Sequence, residues 1–151
     1  MFSELFYRIF TDFYTILIRK NQLNLLNLCP KQIQNFNLLN IVGLCNLDEF
    51  ELLRSFSLSD NEKNAILWSV KESISKILKT GFTLELDFFS IDSIVYTKDI
   101  YYGTFKNFPQ YKFNTFIVGG FVFSFVFPKQ STVEIKALYR KLFYNRYMFK
   151  D

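Results

Sequence analysis

Residues 59–81 read SDNEKNAILWSVKESISKILKTG, and this stretch decides the fold class. Ser59-Asp60-Asn61-Glu62 fits a capping box, in which the serine oxygen accepts from the third backbone N–H and Glu62 reaches back. Ile66, Leu67, Val70, Ile74, Ile77 and Leu78 then fall on one helical face, with Lys71, Glu72, Ser75, Lys76 and Lys79 largely elsewhere. Gly81 supplies the left-handed residue that commonly ends a helix. The pattern predicts an amphipathic helix over 60–80 packed on a sheet, with Trp68 at the edge of its apolar stripe.

Downstream the period changes to two. Phe82, Leu84, Leu86 and Phe88 alternate with Thr83, Glu85 and Asp87, which predicts a half-buried strand. Further strands are expected over 91–96 and 100–105, and 116–127 reads as one strand bent at Gly119-Gly120 or as two short ones. Ser131-Thr132-Val133-Glu134 is a second capping box, opening a helix to about residue 144 with Ile135, Leu138, Tyr139 and Leu142 as its core stripe. Upstream, Phe2, Leu5, Phe6, Ile9, Phe10 and Phe13 predict a short helix over 2–13. Strands are expected at 14–20 and 23–28, with Pro30 breaking any ladder, and near 36–42 and 50–58. The expected architecture is α+β: an amphipathic helix over 1–13, then two tandem small domains, 14–81 and 82–151, each an antiparallel sheet covered by one helix.

Composition narrows the chemistry. Phenylalanine supplies 20 of the 151 residues and histidine none, a bias that points to an AT-rich, organelle-type genome. Without histidine, Ser-His and Cys-His nucleophile systems and His-containing zinc sites are excluded. Cys29 and Cys45 are too few for an all-thiolate zinc site and match no redox spacing, so they read as buried reduced thiols. Asp87, Asp92 and Asp99 are the one acidic group worth naming and read as solvated strand faces. Gly119-Gly120 lacks the Lys and Ser/Thr of a phosphate loop. No metal, cofactor or catalytic residue is expected. The apolar stretch over 113–127 is too short to span a membrane as a helix, and the start of the chain lacks the Arg-rich look of an import presequence.

The charge is unevenly placed. Residues 128–151 carry Lys129, Lys136, Arg140, Lys141, Arg146 and Lys150 against Glu134 and Asp151, which accounts for the whole net charge of +4. Such a footprint suits phosphate groups, with Tyr144 placed to stack on a base or ribose.

The order of elements resembles the large ribosomal subunit protein six family in a divergent organellar form. Residues 14–28 with Cys29-Pro30-Lys31 sit where that family has a strand, a hairpin and a Gly-Pro-Lys-Gly type turn. Residues 65–82, running into Thr83-Leu84-Glu85-Leu86, are similar to its first helix and the strand beyond. Gly103-Thr104-Phe105 with Pro109, and residues 132–140 with the basic tail, are similar to its later strand and second helix, whereas Ser90-Ile91-Asp92-Ser93 departs from its Gly-x-Gly-Tyr. The resemblance implies a structural rRNA-binding protein of the large subunit near the factor-binding region, without an active site. It would sit in the mitochondrial matrix with ribosomal RNA and neighbouring ribosomal proteins as partners. No small-molecule substrate and no membrane contact are expected, and Lys129, Lys136, Arg140, Lys141, Tyr144, Arg146 and Lys150 would carry the RNA contact. The second reading is a subunit of a membrane-bound respiratory or ATP synthase complex, favoured by the Phe-rich start.

Overall fold

The computed structural model describes residues 27–32, 46–81, 83–133 and 135–144. Five strands, β1 (Asn27–Gln32), β2 (Ile91–Thr97), β3 (Ile100–Phe105), β4 (Tyr111–Val118) and β5 (Phe121–Pro128), form one antiparallel sheet in the order β1-β5-β4-β3-β2. Among the described residues three helices accompany it, α1 (Leu47–Arg54), α2 (Asp60–Ile77) and α3 (Ile135–Tyr144), with a 3-10 turn over Leu86–Phe89. The fold is α+β as the sequence predicts. The expected pair of sheets is not what the described strands form: β1, from the first half of the chain, pairs along its length with β5 in the second. The expected elements over 1–13, 14–20 and 36–42 lie outside the described residues.

The two-residue period of the strands puts an apolar layer on each face. Val122 and Val126 of β5, Phe113 of β4, Tyr101 and Phe105 of β3 and Ile91 of β2 join Ile66, Val70 and Ile74 of α2 in one core. Phe123, Phe125 and Phe127 of β5 join Phe116, Val118 and Ile100 on the other face, where α3 contributes Ile135 and Tyr139. The Phe116 and Tyr139 rings meet edge-on at 5.4 Å. Each fully buried phenylalanine contributes about 1.5–3 kcal/mol, which is how a phenylalanine-rich chain sustains two cores. Of the predicted core residues, Ile66, Val70, Ile74 and Ile135 are buried and Ile77 is half-buried; the side chains of Leu138 and Leu142 lie outside the described residues.

Between β4 and β5, Gly119 and Gly120 both take positive φ, at 59° and 79°. That is the two-residue hairpin turn whose twist matches its strands, so 113–127 resolves into two strands. Pro30 sits within β1 rather than ending it; β1 lies at the edge of the sheet that the described strands form, where a missing N–H costs least. Gly103 is needed for space. A Cβ there would collide with the ring of Phe113 and with the Ser93 carbonyl oxygen. Gly103→Ala is expected to lower stability by about 1–3 kcal/mol, as overpacking does, read as a lower urea midpoint with an unchanged slope.

Three local expectations are corrected. Residues 50–58 do not form a strand, because Asn46-Leu47-Asp48-Glu49 caps α1: Glu49 N–H donates to Asn46 Oδ1 at 3.0 Å and Asn46 N–H to Glu49 Oε2 at 3.1 Å. Of the alternating stretch 82–88, the described residues 83–88 do not form a strand either. Thr83 Oγ1 donates to the Thr80 carbonyl at 2.7 Å, and the N–H groups of Phe88 and Ser90 donate to the carbonyls three residues back. These short-range bonds take up the groups a ladder would use, and Leu84 and Phe88 are left exposed. Finally, α3 is described from Ile135, too far downstream for Ser131 to cap it.

Helix α2 has the predicted Ser59 capping box, with Ser59 N–H donating to Glu62 Oε2 at 2.8 Å. Its left-handed ending residue is Lys79, at φ 57°, not Gly81. Thr80 N–H donates to the Ser75 carbonyl and Lys79 N–H to the Lys76 carbonyl, both at 3.1 Å, the paired bonds of a Schellman ending. A residue with a Cβ is strained there by roughly 1–2 kcal/mol. Lys79→Gly is therefore expected to raise the melting temperature by a few degrees, at about 2–4 °C per kcal/mol for a chain of this size.

Candidate active site

One side of α2 is given over to the sheet. Ala65, Ser69 and Ser73, four residues apart, are fully buried and let the helix lie close to β5. Ser73 Oγ donates to the Ser69 carbonyl at 2.8 Å and reaches the Ser124 carbonyl at 3.4 Å. Beneath it, Thr115 Oγ1 and Ser124 Oγ share a hydrogen bond at 2.9 Å. No buried hydroxyl in this column goes without a partner, which matters where burial alone would destabilise.

The adjacent side of α2 holds charge. Lys71 is fully buried, and its Nζ lies 2.8 Å from Oε2 of Glu49, itself buried. Glu49 Oε1 accepts from the backbone N–H of Ile91 at 2.9 Å. A third line along the helix, at four-residue spacing, is Trp68, Glu72 and Lys76. Trp68 is half-buried against the core. Glu72 keeps 18% of its side-chain exposure, and its Oε1 lies 3.1 Å from Lys76 Nζ, which is 45% exposed.

Among the described carboxylates, Glu49 is buried in its pair, Glu62 serves the cap of α2, and the rest except Glu72 are exposed. Among the described residues Glu72 is thus the half-buried carboxylate outside the helix caps and the buried pair, with Lys76 as a partner. With no histidine in the chain, a half-buried carboxylate is the natural group to look to for a proton acceptor. The line Trp68–Glu72–Lys76 offers an apolar wall, a carboxylate that can take a proton and an ammonium that can face a phosphate.

The acidic residues singled out from the sequence do not converge. Asp92 accepts from Thr104 Oγ1 on the exposed surface of β2, Asp99 accepts from Tyr96 Oη in the β2–β3 turn, and Asp87 lies in the 3-10 turn. Among the described residues no three His, Cys, Asp or Glu side chains stand together as a metal site. Lys129 is exposed after β5, and Lys136 and Arg140 are exposed one turn apart on α3. Lys141 and Tyr144 belong to the same helix, with side chains outside the described residues, and Arg146 and Lys150 lie outside them altogether.

No curated protein and no solved structure matches the chain. A protein-family model does: that of the 4'-phosphopantetheinyl transferase superfamily (ACPS) matches residues 29–125, well over half of the sequence, running from β1 into β5 and including all of α2. The match overturns the ribosomal resemblance, which rested on the order of strands and helices and on few identities. With it go the rRNA-binding function, the ribosomal partners, the absence of a small-molecule substrate, the non-enzymatic reading and the respiratory-complex alternative. A basic tail and two capped helices are compatible with many folds, so neither could carry that assignment. The choice of Lys129, Lys136, Arg140, Lys141, Tyr144, Arg146 and Lys150 rests on the charge placement over 128–151, and the match, which ends at residue 125, does not reach these residues. The match takes in the whole of the helix first read as merely amphipathic, and the chain belongs to the 4'-phosphopantetheinyl transferase superfamily.

Proposed function

We propose that this chain is a 4'-phosphopantetheinyl transferase, moving the phosphopantetheinyl arm of coenzyme A onto a serine hydroxyl of a carrier protein. The observation that supports it is the coincidence of the family match over 29–125 with a half-buried carboxylate–ammonium pair, Glu72 and Lys76, on α2. The serine oxygen attacks the phosphorus that bears the pantetheine. A P–O bond to the second phosphate breaks, and adenosine 3',5'-bisphosphate leaves. Glu72 accepts the serine proton. Lys76 faces the negative charge that builds on the phosphate oxygens, where a preoriented cation lowers the barrier most. Trp68 walls the site beside them.

Phosphoryl transfer from a diphosphate is often served by a divalent cation. Such a cation needs only one or two protein carboxylates beside the substrate's own phosphate oxygens; among the described residues no three ligand-type side chains stand together, and Glu72 is the carboxylate that would hold one here. Lys76 adds a counter-charge from the chain itself. The test is an incubation of the protein with a fluorescent coenzyme A analogue and an unmodified carrier protein, followed by gel electrophoresis. A labelled carrier band that disappears when the acceptor serine is changed to alanine supports the reading; an unlabelled carrier at high enzyme concentration refutes it.

A further inference from the structure

We propose that the buried Glu49–Lys71 pair is a positioning device for Glu72, fixing the rotation of α2 about its axis and so the aim of the neighbouring carboxylate. The inference rests on the reading of Glu72 as the proton acceptor. Glu49 is the point where three elements meet. Its Oε2 takes Lys71 Nζ at 2.8 Å from the middle of α2 and the Asn46 N–H at 3.1 Å from the start of α1. Its Oε1 takes the Ile91 N–H at 2.9 Å, at the first residue of β2. Asn46 Nδ2 donates to Ser90 Oγ at 3.1 Å, closing the junction from the other side. At the surface, Lys106 Nζ holds Asp48 at 2.9 Å, and this hydrogen bond raises the lysine above its ordinary pKa.

A buried ion pair is a poor way to gain stability, because apolar residues of similar volume do as well or better. What it adds is direction. Apart from Asn64 near its start, the rest of the α2 underside consists of small or apolar side chains such as Ala65, Ser69, Val70, Ser73 and Ile74, which resist separation from the sheet more than rotation against it. A reacting group has to be held within about 0.5 Å and 10–20° of its productive geometry. Lys71 directly precedes Glu72, so the contact that fixes the turn of the helix lies next to the residue that needs it.

The experiment is steady-state transfer from coenzyme A to an unmodified carrier, with melting temperatures, for the wild type, Glu49→Gln/Lys71→Met together and Glu49→Asp alone. The double variant removes both charges at near-constant volume and is expected to melt near the wild type. Its KM for coenzyme A should change little while kcat falls by about 10²-fold, as for a misplacement of about 1 Å. Glu49→Asp keeps the charge but shortens the reach, and should lower kcat to an intermediate value. A folded double variant with wild-type kcat overturns the proposal and leaves a merely structural pair. If the double variant does not fold, a folded Glu49→Asp with wild-type kcat overturns it equally. A wild type that transfers nothing to the carrier is a different failure: it refutes the parent reading, and this one with it.

Discussion

Glu72→Gln is expected to lower kcat for phosphopantetheinyl transfer by about 10²–10⁴-fold, the range for removing a general base. The amide has nearly the size of the carboxylate and can still meet Lys76 Nζ, now 3.1 Å from Glu72 Oε1, through its oxygen. It cannot take the serine proton. KM for coenzyme A should therefore move far less than kcat. Stability should also change little, because the pair is partly solvated and such pairs contribute at most about 1 kcal/mol. The measurement is an initial-rate series at saturating carrier. A Gln variant within a fewfold of wild-type kcat would remove Glu72 from the chemistry.

Phe113→Ala is expected to give the largest loss of stability, about 3–5 kcal/mol. Phe113 is fully buried in the core between α2 and the sheet, 5.3 Å from the Phe105 ring, and its own ring fills the space over Gly103. Truncation leaves a cavity that rigid strands on either side cannot close. The same geometry makes the two sites interact. Because a Cβ at Gly103 collides with the Phe113 ring, Gly103→Ala combined with Phe113→Leu should cost less than the sum of the two single changes. Denaturant unfolding of the singles and the double checks both statements. Simple additivity would mean that the close approach at Gly103 is relieved by some other movement.

The local parts of this fold can be read from the sequence, and the long-range parts cannot. Helix α2 was legible because Ser59 and Glu62 mark its start and the apolar spacing carries through to Ile77. Strands β2 and β3 followed from their period, and the Gly119-Gly120 hairpin was one of the two readings that 116–127 left open. The pairing of β1 with β5 spans most of the chain, and no local pattern records it. The alternation over 82–88 looked like a strand, but Thr80, Glu85 and Asp87 carbonyls captured nearby donors first.

The candidate site was missed for a physical reason. Lys71, Glu72 and Lys76 read together as lying largely off the apolar face, yet Lys71 stands four residues after Leu67 and three before Ile74, within the apolar stripe. That placement was the available signal of a buried charge. Its partner, Glu49, stands just before the stretch 50–58 that reads as strand, although Asn46 and Glu49 have the spacing of a capping box. The absence of histidine removed the enzyme classes built on imidazole, but not transfer chemistry in which a carboxylate takes the proton.

The most direct measurement is the stoichiometry of the reaction. The wild-type protein is incubated with coenzyme A and an unmodified carrier protein, the carrier's intact mass is followed by mass spectrometry, and adenosine 3',5'-bisphosphate is quantified in the same samples. Transfer by Glu72 and Lys76 predicts a carrier heavier by one phosphopantetheinyl group and one bisphosphate released for each carrier modified. Bisphosphate released without a change in carrier mass would make the protein a hydrolase, and no change in either would contradict the transferase account altogether.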